Sequence, residues 1–218
     1  MEWWSNLTEN GIIAVYLAAG KSTRMGLDKL SLPLGAHSIG NSALQAALHS
    51  TLAHIIVVTR ETDSLKWIHS ALHQAPLNSK WTQIPCLNSE KGQSFSLQCG
   101  LRAALERKPM GIMVLLADQP FLTVKTLNDL IDNYLALSVE KAQVQFVAAR
   151  FQGIPRPPII FSPNAVPELM KLTGDEGARI LLRKLTGFHI DYNDAGEFVD
   201  IDIQQDYQAW KGADATHD

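Results

Sequence analysis

Short apolar runs that alternate with amphipathic stretches constrain this chain more than any other feature of its sequence. Residues 12–17, 54–59, 112–117 and 145–149 are dominated by Ile, Val, Leu and Ala, with a weaker run at 81–84. Continuous rather than alternating apolar character suits strands covered on both faces, which is the situation of a parallel sheet. Helical spacing occupies the intervals, at 42–51, 64–74, 94–106 and 124–137, and Asn41 stands where it can cap the first of these. The predicted class is α/β, with a mostly parallel sheet and helices on both faces.

Beyond Phe151 the texture changes. Gly153, Pro155, Pro157 and Pro158 interrupt the periodicity, after which 163–171 and 176–185 read as short helices and 188–191 and 198–201 as short strands. A last helix runs through Asp206 and Trp210. With 218 residues, no repeat and no linker, one domain over 1–218 is expected: a nucleotide-binding part at 11–120, an acceptor-binding part at 121–210 and a frayed tail at 212–218. The formal net charge of -3 gives no overall attraction to nucleic acid or an anionic membrane, so neither is expected as a partner. The opening Met1-Glu2-Trp3-Trp4 lacks a basic flank, the first apolar run is far too short to span a bilayer, and Cys86 and Cys99 form no CxxC pair. A cytoplasmic protein with reduced thiols is the expectation.

The segment LAAGKSTRMGLDK, residues 17–29, carries the most chemistry. A buried strand ends in Ala18, Ala19 and Gly20, and a polar loop then supplies Lys21, Arg24 and Lys29. Small residues let backbone N–H groups approach a ligand, and three cations within nine positions suit a polyphosphate. A Walker A loop would require glycine where Val15 stands, and a dinucleotide GxGxxG fails at Ala18 and Ser22. An ordinary strand-to-helix turn with surface lysines is the non-functional alternative.

Two acidic segments complete the pattern. Asp118, in LLADQP, follows a buried strand, at the carboxyl end where open α/β sheets bind ligands. A carboxylate there needs a positive partner, and magnesium bridging phosphates is suitable because a hard cation takes oxygen ligands. The helix-capping alternative is an Asp118 that serves only the turn after Pro120. Strand alternation through 198–201 and beyond would set Asp200 and Asp202 on one face. His69 and His73 have helical i, i+4 spacing, but Ser70 stands where a zincin has glutamate, so a solvated helix face is expected there.

Leu17, Ala18, Ala19, Gly20, Ser22, Arg24, Met25, Gly26 and Lys29 together resemble the signature loop of the MobA-like nucleotidyltransferases that act on molybdenum cofactor. The resemblance covers roughly residues 11–210 and is strongest to the molybdopterin cytidylyltransferases. It implies a single-domain, Rossmann-like fold of GT-A type and transfer of CMP from CTP to molybdopterin with release of pyrophosphate. It implies catalytic Arg24, Lys29 and Asp118, and Mg2+ held by Asp118 and Asp202. Nucleotide binding is implied for Leu17 to Gly20, Arg24, Lys29, Gly92, Ser94, Ser96 and Asp118. FSPNAVPELMKLTGDEGARILL, residues 161–182, is similar to the family's acceptor segment and implies Asp175 and Arg179 there. Pro155-Arg156-Pro157 replaces the family's usual Gly-His-Pro, which adds Arg156 as an acceptor-side cation. A molybdoenzyme is the implied receiver of the product. Two alternatives stand beside this reading: a sugar- or polyol-phosphate cytidylyl- or uridylyltransferase, and a non-catalytic cofactor carrier for a partner enzyme.

Overall fold

The computed structural model describes residues 11–20, 25–26, 28–141 and 143–211. Arg24 therefore lies outside the described residues, as do Lys21, Ser22 and the tail from 212. Seven strands form one sheet: β1 (Ile12–Leu17), β4 (His54–Arg60), β5 (Trp81–Cys86), β6 (Gly111–Leu116), β7 (Phe146–Phe151), β8 (Ile154–Phe161) and β9 (Gly187–Tyr192). A two-stranded ribbon, β2 (Pro33–Leu34) with β3 (His37–Ser38), stands apart. The spatial order is β5-β4-β1-β6-β8-β7-β9, and only β8 runs antiparallel to its neighbours. Successive strands go outward on one side of β1 and then start again on the other, at β6. That reversal opens a crevice beyond the carboxyl ends of β1 and β6.

The residues of β1 divide between two cores, as the pleat requires. Ile12, Ala14 and Tyr16 face the helices α1 (Ile39–His49) and α3 (Val124–Glu140). Ile13 and Val15 face α2 (Gln93–Leu105). Helices thus cover both faces, and the single-domain α/β expectation is met. Tyr16 is wholly buried, and its hydroxyl donates to Gly40 O at 2.7 Å, which satisfies the one polar atom it brings inside.

Several local expectations are corrected. Ser38, not Asn41, caps α1, because its hydroxyl accepts from Asn41 N; the Asn41 amide instead receives His69 N at 2.8 Å. The helix expected at 64–74 reduces to a 3-10 turn, Ser70–His73. There Leu65 has a positive φ of 56°, Trp67 is buried, and its indole donates to Asp63, so local contacts replace a helical ladder. His69 caps that turn and His73 meets Trp81 edge-on, which removes the helix face expected of them.

Strand β8 was hidden by its prolines. Only Ile159, Ile160 and Phe161 pair with β6, while Pro155 and Arg156 pair with β7 alone. Between Ala148 and Ala149 the register jumps from Ile159 to Arg156, so Pro157 and Pro158 fall in a bulge where no ladder N–H is required. The strand expected over 198–201 is absent: a 3-10 turn, Gly196–Phe198, leads into extended chain that docks on the end of β6 through Ile201 N and Asp118 O at 2.9 Å. The alternation argument for Asp200 and Asp202 therefore fails, although both reach the crevice by this other route. A short α4 (Val166–Leu169) and a final α5 (Gln204–Trp210) complete the elements. No described helix is long and apolar enough to cross a membrane.

Candidate active site

A cleft of about 590 Å³ opens at the topological switch point. That size is within the range of small-molecule sites. Its floor is the end of β1 and the residues after it, Leu17 to Gly20, with Leu116, Ala117 and Asp118 from β6. Ala18 N donates to Val58 O at 2.8 Å and Ala117 N to Leu17 O at 3.1 Å, so the ladder continues to the lip and holds the floor rigid. Ala18 and Ala19 are nearly enclosed, whereas a side chain added at Gly20 would meet no atom of the described residues within 4 Å. Gly20 itself lines the cleft.

Lys29 organises the base of the cleft. Its Nζ donates to Asp118 Oδ2 at 2.7 Å, to Asp202 Oδ1 at 3.0 Å and to Ile201 O at 3.1 Å. Its side chain is only 10% exposed, so the ammonium is shielded from water, while its partner Asp202 stays half-exposed. Burial opposes the charged form of Lys29, but the Asp118 and Asp202 carboxylates outweigh it and hold the pKa above the ordinary lysine value. The expected phosphate ligand is thus also the counter-ion that joins β6 to the C-terminal segment.

Asp200 also lines the cleft. It keeps solvent contact, yet protein crowds it closely enough that desolvation, followed by the Asp118 charge, raises its pKa. The neighbouring Gln119 amide is fully buried, and its contact with the Asp200 carboxylate partly offsets that rise. In all, the described wall carries five carboxylates, Glu90, Asp118, Asp175, Asp200 and Asp202, against two ammonium groups, Lys29 and Lys91. A polyphosphate entering such a wall requires additional positive charge.

The donor set fits a hard divalent cation in one respect: among the described residues, buried Asp118 Oδ1 has no hydrogen-bond partner. Asp202 offers a second, half-exposed carboxylate. Among the described residues no cluster of three or more His, Cys, Asp or Glu is arranged to hold a metal, so a cation held by Asp118 and Asp202 would complete its shell with water or phosphate oxygens.

The remaining expected residues divide. Gly92, Ser96 and Asp175 line the cleft; Ser94, Arg156 and Arg179 do not. Ser94 is fully buried, with its hydroxyl on Gly174 O at 2.8 Å. Arg156 stands behind Asp200, donating to Phe198 O at 3.0 Å with its guanidinium over the Phe151 ring. Arg179 is exposed on the 3-10 turn Ala178–Arg183. Sequence reasoning missed Ser89, Glu90, Lys91 and Gln93 as wall residues. Their signal was the polar run directly before and after Gly92, read only for its glycine and serines.

A floor of small residues and a strand-end carboxylate at the switch point of an α/β sheet define the class of an open α/β protein with a small-molecule cleft. The chain belongs to the MobA-like NTP transferase domain family, whose model matches residues 14–189, and it is a nucleotidyltransferase of that family. It is 43% identical over 200 residues to the purine catabolism protein PucB of Bacillus subtilis (strain 168), covering 90% of this chain and 94% of PucB. The fold is similar to the crystal structure of Rv0371c from Mycobacterium tuberculosis H37Rv, with a TM-score of 0.72 and 24% identity over 93% of this chain and 97% of that one. It is also similar to molybdopterin-guanine dinucleotide biosynthesis protein A from Archaeoglobus fulgidus, with a TM-score of 0.63 and 18% identity over 91% and 96% of the two chains.

Proposed function

We propose that this nucleotidyltransferase moves CMP from CTP to a phosphorylated acceptor, molybdopterin or its metal-bound cofactor form, with release of pyrophosphate. The observation that carries the reading is the Lys29 clamp on Asp118 and Asp202 at the mouth of β1 and β6. Asp118 and Asp202 would hold Mg2+, which supplies charge neutralisation for the phosphates. An oxygen of the acceptor phosphate attacks the α-phosphorus, and the bond to the pyrophosphate oxygen breaks. Gly20 gives its backbone to the phosphates, and Arg24 and Lys29 stabilise the departing pyrophosphate. The Ala19 methyl narrows the floor, which supports a pyrimidine over a purine. Asp175, Arg156 and Arg179 form the acceptor side. PucB is named for purine catabolism, and that supports a purine-oxidising molybdoenzyme as the receiver of the product.

Pyrophosphate release measured with CTP and GTP against molybdopterin and a polyol phosphate tests the substrate assignment. CTP with molybdopterin should give the highest kcat/KM. Steric selection by one methyl is worth about 10–200-fold. Equal or better turnover with GTP removes the cytidylyl assignment, and turnover with the polyol phosphate alone removes the molybdopterin one. Asp118→Asn should reduce kcat by at least about two orders of magnitude while nucleotide still binds. Near-normal turnover of that variant in saturating magnesium would overturn the metal role.

A further inference from the structure

Helix α2 begins on the nucleotide wall without a side-chain cap of its own. The first N–H groups of any helix lack intrahelical partners and must find them elsewhere. Here the partner comes from the other wall of the cleft. Ser94 N donates to Gly174 O at 3.0 Å, and Ser94 Oγ donates to the same oxygen at 2.8 Å. Four residues along the same face of α2, Gln98 Nε2 donates to Leu172 O at 2.9 Å and Met170 O at 3.2 Å. The two backbones touch so closely that a Cβ on Gly92 would collide with the carbonyl group of Gly174. Gly92 and Gly174 also both have positive φ, at 128° and 54°, so the contact depends on glycine at each place. The next residue, Asp175, lines the cleft, as do Gly92, Gln93 and Ser96 from the α2 side.

From this geometry we propose that Ser94 and Gln98 are positioning residues that couple the two walls, the loop bearing Asp175 serving as the N-terminal cap of the helix that faces the nucleotide. The proposal rests on the transferase reading given above for what each wall binds. Order imposed on residues 92–96 by a nucleotide is passed to residues 173–177, which readies the acceptor side. Coupling of this kind is reciprocal, so an acceptor must tighten nucleotide binding by the same factor. Loss of the Gln98 or Ser94 donors leaves the nucleotide contacts in place but frees the loop.

Hydrogen exchange and steady-state kinetics on the full chain decide this, with wild type, Gln98→Leu and Ser94→Ala compared. In wild type, a triphosphate that calorimetry shows to bind should slow exchange at 173–177 as well as at 92–96. In Gln98→Leu it should still bind, with a Kd within about threefold, but the slowing at 173–177 should disappear. The acceptor KM at saturating nucleotide and the nucleotide KM at saturating acceptor should both rise about five- to tenfold, on the scale of one or two hydrogen bonds, because the lost coupling is reciprocal. Exchange in β1 and α1 should stay as in wild type, which separates loss of positioning from general destabilisation. Equal loop protection in variant and wild type, or both KM values unchanged from wild type, would overturn the coupling. If no triphosphate binds, the transferase reading falls, and the nucleotide-free comparison still decides: faster exchange at both 92–96 and 173–177 in Gln98→Leu is required, and unchanged exchange there refutes the coupling.

Discussion

Lys29 meets carboxylates 89 and 173 positions away in the chain, and this one side chain shows what a residue list leaves open. Its charge suited a phosphate loop on composition alone, yet the fold makes it a counter-ion first, because two carboxylates converge on it. His54 is a second case. It reads as the polar first residue of an apolar strand, but its ring is 6% exposed, with Nε2 2.9 Å from Thr82 Oγ1. Burial, aided by the Arg107 charge, lowers its pKa from 6.5 to about 4. Between those values the unfolded chain binds a proton that the folded chain excludes. Stability is therefore complete above pH 6.5, erodes as the pH falls toward 4, and loses nothing further to His54 below that. The loss is at most ~3 kcal/mol by linkage, and smaller because water lies close behind the enclosing atoms at this strand start. Urea denaturation at pH 7 and pH 5 should show a larger loss in wild type than in His54→Gln. Equal losses would remove His54 from the pH response.

At the level of elements, the long apolar runs were legible and the short irregular ones were not. β1 was delimited from its composition, and β4, β6, α2 and α3 were placed to within a few residues, because burial on both faces or along one stripe leaves a strong periodic signal. β8 was not, since its prolines are tolerated only by a bulge and a missing partner that no local pattern announces. Gly100 shows how tightly elements then pack. It lies in α2 against the sheet, where an added methyl would strike Val15 Cγ1 and come within 2.8 Å of Val58 Cγ2. Alanine at a helix interior normally gains up to ~1 kcal/mol over glycine, while overpacking a core costs ~1–3 kcal/mol. Collision with two strand side chains should win. Gly100→Ala is expected to lower the urea midpoint, and an unchanged or raised midpoint would mean that α2 moves away from the sheet at little cost.

In the molecule as a whole, the site is closed by its last strand-free segment. Ile201 N on Asp118 O, Lys29 on Ile201 O and Asp202, Arg156 on Phe198 O, and a short contact of Glu197 with Thr126 all fasten residues 197–202 onto the sheet. Phe198 is 1% exposed, so this segment is also core. A chain ending at Ala195 should lose several kcal/mol of stability, since deleting one buried aromatic alone costs ~3–5 kcal/mol. It should also release no pyrophosphate at temperatures where it remains folded. Thermal unfolding and turnover measured side by side check this, and retained turnover would show that Asp202 is dispensable. Sequence alone determined the α/β class and the strand-end positions of residues 17–20 and Asp118, which line the cleft, because strand burial and small residues at a strand end are local properties written in consecutive letters. Only the tertiary structure decided that Lys29 would sit between Asp118 and Asp202, that Ser94 would face Gly174 instead of the cleft, and that Glu90, Lys91 and Gln93 would join the wall. Those outcomes depend on the strand order and on which distant backbones touch, and neither is encoded in the spacing of residues along the chain.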